Sequence, residues 1–254
     1  MNRIRAFSSR NIKEILREPL SYIFCLGFPL VMLIIMTFVN ESIPPQSGMT
    51  IFRIDNLYGG ISVFGQTFIM LFTAITVSKD RAGAFLVRMY ATPMKTADFV
   101  LGYILPMIVL SIIQNIITAI ASLIISFIVN VEINISGILL SVIILIPSAV
   151  MFVGFGILFG SLFSDKSAPA ISSIIISLSS FVGGIWFDAD NAGGVMLKIS
   201  KCLPFYYCTK TARLSTAMNF ENFSIPIIIV IACSALITSL SIWIFHTKMK
   251  ADLS

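Results

Sequence analysis

The sequence predicts an all-α integral membrane protein, and three observations carry that expectation. Only 11% of its 254 residues are charged, less than half the share of about 25% usual in soluble domains. Hydrophobic residues make up 57% and mean hydropathy is +0.97, as for helices apolar on every face rather than along one stripe. Six apolar stretches stand out, at about 20–39, 57–78, 99–129, 136–163, 167–187 and 225–245, with no Asp, Glu, Lys, Arg or His inside them. Each approaches or exceeds the roughly 20 residues that cross a bilayer. Residues 1–254 therefore read as a single transmembrane domain of six helices, without room for a soluble catalytic domain.

Ahead of the first stretch, residues 1–19 form an amphipathic segment. Helical spacing puts Ile4, Phe7, Ile12, Ile15 and Leu16 on one arc and Arg3, Arg10, Lys13 and Arg17 opposite, with Arg5 on the apolar side. Such a helix suits the surface of an anionic inner leaflet. The run Leu20 to Val39 is about twice as long as a signal-peptide core. Glu41 and Pro44-Pro45 follow it rather than a small-residue cleavage site, so it reads as a retained first span.

Basic residues set the orientation. With the N-terminus inside, cytoplasmic segments hold Arg3, Arg5, Arg10, Lys13, Arg17, Lys79, Arg81, Arg88, Lys95, Lys166, Lys248 and Lys250. The outer segments hold only Arg53, Lys198, Lys201, Lys210 and Arg213. The bias predicts both termini in the cytoplasm. It also explains the basic excess better than a nucleic-acid partner does, so none is expected. A seventh crossing at 195–208 is too short and carries Lys198 and Lys201, so it reads as a dipping or interfacial piece.

Between spans two and three, Ala82, Phe85, Leu86, Met89 and Tyr90 recur at i, i+3, i+4, i+7 and i+8, and Pro93 ends the pattern. This predicts an amphipathic helix over 79–92. Periodicity alone leaves two readings open: a helix resting on the membrane surface, or a rod inserted into a partner protein. Polar residues inside the apolar stretches include Gln66, Thr67, Gln114, Asn115, Ser172, Ser173, Ser177, Ser179 and Ser180. Most are expected to bond neighbouring helices. Gly156 and Gly160 predict close helix packing, while Pro106 and Pro147 predict kinks.

Chemistry is sparse. No nucleophile–base pair, His-Glu-x-x-His run or phosphate-binding Gly-rich loop occurs, so no catalytic residue is assigned. Four cysteines with His246 alone make no zinc site. His246 is expected to snorkel at the end of the last span. Cys25 and Cys233 behave as small apolar residues. Cys202 and Cys208 share the outer segment, where a disulfide is chemically allowed, although helical geometry would hold them apart. Ion-coupled carriers need ionisable groups near the midplane and channels show polar or charged rings; neither pattern is present. A non-catalytic assembly or channel subunit and, behind it, an intramembrane enzyme stay as alternative readings.

Lys79-Asp80-Arg81, Gly83, Leu86, Ala91-Thr92-Pro93 and Gly102 together resemble the type-2 ABC-transporter permease family. So do Arg10-Asn11-Ile12-Lys13-Glu14 with Arg17-Glu18-Pro19, and Leu203-Pro204 through Arg213. Asp80 stands where that family more often has Glu, and Tyr58-Gly59-Gly60 stands where Pro-Gly enters span two. The resemblance implies a six-span exporter subunit of a bacterial plasma (inner) membrane, not itself an enzyme. It implies pairing with a second permease chain, as homodimer or heterodimer, above two separate ABC ATPase subunits. ATP and Mg would reside on the ATPase, with no cofactor in this chain. Residues 79–92 would be the coupling helix, with Arg81, Ala82, Phe85, Leu86, Met89 and Tyr90 contacting the ATPase. Spans two and five would line the substrate path, with Gln66, Thr67, Ser173 and Ser177 as candidates. Short re-entrant helices in 188–213 would close the outer mouth. The mostly apolar spans fit an amphiphilic substrate, a drug, peptide antibiotic or lipid.

Overall fold

A computed structural model describes residues 2–44, 48–83, 85 and 95–253. Helices α1 (Asn2–Arg17), α2 (Pro19–Ser42), α3 (Ile54–Ala82), α4 (Thr96–Val129) and α5 (Ile135–Leu162) follow in order. They are succeeded by α6 (Ala168–Val182), the short α7 (Ala189–Ala192), α8 (Gly194–Cys202) and α9 (Pro204–Thr216), and finally α10 (Ser224–Leu253). No strand occurs among the described residues. Five helices, α2 to α5 and α10, are long and apolar enough to cross a membrane. The fifth expected span, 167–187, appears as α6, an apolar helix of 15 residues. A tight Ser179–Gly183 turn, with Gly184 at φ +73°, ends it before the stretch does.

Local chemistry places the ends. Pro19 sits in the first turn of α2, where the missing N–H costs nothing. The Asp98 carboxylate accepts from the Lys95 N–H at 2.9 Å and opens α4. Asn130, left-handed at φ 54°, closes α4, and the Asn134 side chain accepts from the Gly137 N–H to begin α5. Pro147 lacks an N–H to continue the ladder, so α5 breaks at Leu145 into Ile135–Ile144 and Ile146–Leu162. Pro106, by contrast, stays within a continuous α4. A π-helical turn, Ile23–Gly27, interrupts α2.

Helix α3 is the core. Its apolar window is 89% buried, against 17% for α2 and for α10, which lie at the periphery. The second half of α5 packs tightly along it. A Cβ on Gly156 would lie 2.5 Å from the Met70 carbonyl oxygen, and one on Gly160 would lie 2.7 Å from that of Ala74. Only hydrogen fits at these steps, so the small-residue seam is a packing device. At the other flank of α3, α4 contributes Ser111, Gln114, Asn115, Thr118 and Ser122, all buried. These polar residues thus face protein rather than lipid, as expected of groups too costly to expose to hydrocarbon.

Candidate functional site at the α1–α3–α4 junction

Asp80 lies in the last turn of α3 and is almost fully buried, at 5% exposure. A carboxylate in such a place needs a cation and donors. Arg10 of α1 supplies a two-point pair, Nη1 to Oδ2 at 2.6 Å and Nη2 to Oδ1 at 2.7 Å. Tyr103 of α4 donates its hydroxyl to Oδ2 at 2.7 Å. Three helices therefore meet on one carboxylate. Arg10 also contacts Glu14 at 2.8 Å and lies 4.1 Å over the Phe85 ring. Burial pulls the Arg10 pKa down, but the Asp80 hydrogen bond and charge outweigh it and leave it raised. Burial pushes the Glu14 carboxyl up, against the pull of Arg10.

An apolar layer lies beside the charges. Phe7 stacks on Phe85 at 6.1 Å and meets Tyr103 and Phe99 edge-on at 5.0 and 5.6 Å. Gly102 lets it in: a Cβ there would sit 2.2 Å from the Phe7 ring. The Gly102 carbonyl accepts from Asn11 Nδ2 at 3.0 Å and from Ser8 Oγ at 3.4 Å. Helix α1 was expected to lie on the leaflet through one apolar arc. Its buried face, Phe7, Ser8, Asn11 and Ile15, packs on the bundle, while Ile12 and Leu16 of the expected arc stay exposed. The arc splits because Asn11 and Ser8 find a carbonyl that an apolar helix wheel cannot show.

The neighbouring ends close the junction. Lys79 pairs with Glu18 at 3.0 Å. Arg81 sends Nη1 to the carbonyls of Gly160, Ser161 and Phe163, neutralising the C-terminal end of α5. His246 of α10 is bonded to Thr96 at the start of α4, Nδ1 to Oγ1 at 2.8 Å. A groove of about 690 Å³ runs over α1 between Lys13, Arg17, Glu18 and Lys79.

The sequence model of the ABC-2 type transporter family matches residues 2–216, from α1 to the last turn of α9. The chain belongs to the ABC-2 type transporter family. Comparison with curated proteins gives no match. The ABC-2 chain is accordingly a multi-pass membrane protein and the permease component of an ABC transporter, a transport component rather than a catalyst.

The expected coupling residues of this ABC-2 permease fall into three groups. Lys79 to Ala82 are the final turn of α3, so the second apolar helix runs to Ala82 instead of ending at 78. Arg81 turns into the bundle and Ala82 is exposed. Phe85 is half-buried against Phe7 and Arg10 of the same chain. Leu86, Met89 and Tyr90, with most of the expected 79–92 helix, lie outside the described residues.

The path candidates separate too. Gln66 and Thr67 are wholly enclosed by the permease's own helices, at 0% exposure. Gln66 Nε2 donates to the Leu145 carbonyl at 3.2 Å and its Oε1 accepts from Ser148, so it clasps the break in α5. Thr67 donates to the Phe64 carbonyl. Ser173 and Ser177 lie exposed on α6 and donate to the carbonyls of Pro169 and Ser173. Cys202 and Cys208 are free thiols, the first exposed and the second buried. The Arg10–Asp80–Tyr103 knot escaped the sequence reading. Its signal was an acid at the end of a long apolar helix, but Lys79 and Arg81 flank Asp80 in sequence and in the fold are engaged elsewhere, with Glu18 and with the end of α5.

Proposed function

We propose that this chain is the membrane-spanning subunit of an ATP-driven exporter of amphiphilic substrates, worked by a separate ABC ATPase docked at the α1–α3–α4 junction. The observation that carries this reading is the Asp80 knot. Phe85, three residues past the end of α3, the most enclosed helix, is held by Phe7 and Arg10 of α1, on the same end of the bundle as the close of α5 and of α10. A force delivered there reaches the core helix directly. In this reading α2, α3, α4, α5, α6 and α10 are six crossings with both termini cytoplasmic, the orientation favoured by the basic residues. Two such permeases stand above two ATPase subunits, in a plasma membrane. ATP and Mg belong to the ATPase. Exposed Ser173 and Ser177 on α6 are the preferred path residues, and α7 to α9 cap the outer end.

The test is co-expression of the permease with an ATPase subunit, followed by purification and transport assay in proteoliposomes. Met89→Asp is expected to release the ATPase or to uncouple hydrolysis from transport, with Phe85→Leu as a control for the internal stack. Solute movement by the permease alone, without ATPase, would overturn the reading.

A further inference from the structure

At the end of the bundle opposite α1, a cavity of about 190 Å³ is lined by Asn56, Gly184, Asp188, Tyr206, Arg213 and Asn219, among others. Arg213 of α9 lines it and is partly exposed; its Nη2, packed against Gly60, is shut off from solvent with no acceptor among the described residues, which leaves the open part of the guanidinium to meet the cavity. Nε alone is engaged, donating to the Asn56 carbonyl at 3.2 Å. Gly60 makes room for the group: a Cβ there would stand 3.4 Å from Nη2. Burial lowers the Arg213 pKa to about 10, with Asp188 and Asp190 opposing, so the guanidinium stays charged at neutral pH.

The acids of the same cavity differ in how they are used. Asp190 accepts from Tyr206 Oη at 2.6 Å and pairs with Lys210 at 3.5 Å. Asp188 caps α7 through Asn191, taking its N–H at 3.1 Å and its Nδ2 at 2.7 Å, and no cation pairs with it among the described residues. Beside the Lys210–Asp190 pair, Arg213 and Asp188 line this small cavity with no ion pair between them, although Asp188 supports the Arg213 charge through space. A simple anion would satisfy Arg213 and be repelled by Asp188, and a simple cation would suffer the reverse. A ligand carrying both signs meets both demands.

We infer that this cavity binds a small zwitterionic group, its oxyanion on Arg213 and its ammonium on Asp188. That chemistry belongs both to an ethanolamine phospholipid headgroup and to a free amino acid. The inference stands apart from the ATP-driven reading, since it concerns the isolated chain.

The test is a thermal unfolding titration of the purified full-length protein in detergent, with Trp186, two residues before Asp188, as a fluorescent reporter. Dihexanoylphosphatidylethanolamine, dihexanoylphosphatidylglycerol and glycine are the probes. Saturable stabilisation by the ethanolamine lipid is expected, with affinity lower by about tenfold for the glycerol lipid, which lacks the ammonium. Arg213→Gln and Asp188→Asn should each weaken ethanolamine-lipid binding by about tenfold. Asp188→Asn keeps the helix cap, since Asn caps as well as Asp, and so keeps the fold. Glycine binding as well would place the site's ligand in solution, while binding of the ethanolamine lipid alone would place it in the membrane; both outcomes support the site. Absence of saturable binding of either zwitterion, equal affinity for the two lipids, or indifference to both substitutions would overturn it.

Discussion

Two arginines stand at opposite ends of this permease, and the protein treats them differently. Arg10 is matched at every turn: a two-point pair with Asp80, a second carboxylate in Glu14 and an aromatic face in Phe85. Arg213 has one backbone carbonyl and otherwise faces a small cavity. The contrast teaches that a charge near the membrane is either consumed by the fold or left for something that is not part of it. The first kind fixes how helices sit together. The second marks where another molecule is awaited.

The sharpest way to break the contrast is at Asp80. Asp80→Ala leaves Arg10 without its main partner and is expected to cost about 3 kcal/mol. The figure is the low end of that range because Arg10 keeps 33% exposure. It should appear as a lowered unfolding midpoint in detergent and loss of a fixed α1, read by protease cleavage after Arg17. Gly102→Ala drives a methyl into Phe7 and is expected to cost about 1–3 kcal/mol in the same assay. Gln66→Ala removes its bonds to the Leu145 carbonyl, which keeps the one from Ala149 N–H, and to the Ser148 hydroxyl inside the bundle, for about 1–2 kcal/mol. Arg213→Gln removes no ion pair and should move stability by less than about 1 kcal/mol. The double change Ser173→Ala with Ser177→Ala should shift stability by no more than about 0.5 kcal/mol while slowing transport in proteoliposomes. Unchanged transport would remove these serines from the path.

The helical class and five of the long apolar helices were legible because every face of them is apolar, a signal that needs no tertiary knowledge. The close seam at Gly156 and Gly160 was also legible, since small residues four apart permit only one kind of contact. The length of α6 was not, because the apolar stretch runs on past the Gly183-Gly184 turn that ends the helix. Gln66 could not be placed by sequence either. A polar side chain in an apolar helix reads the same whether it meets a solute or the Leu145 carbonyl, 79 residues later, at the break in α5. The Arg10–Asp80 pair spans 70 residues, and wheel analysis of either segment alone shows only half of it. On that account the α1 arc was drawn too simply.

The deep enclosure of α3 has a mechanical corollary. A rod whose backbone is notched against its neighbour at Met70 and Ala74 cannot swivel or slide without carrying the second half of α5 with it.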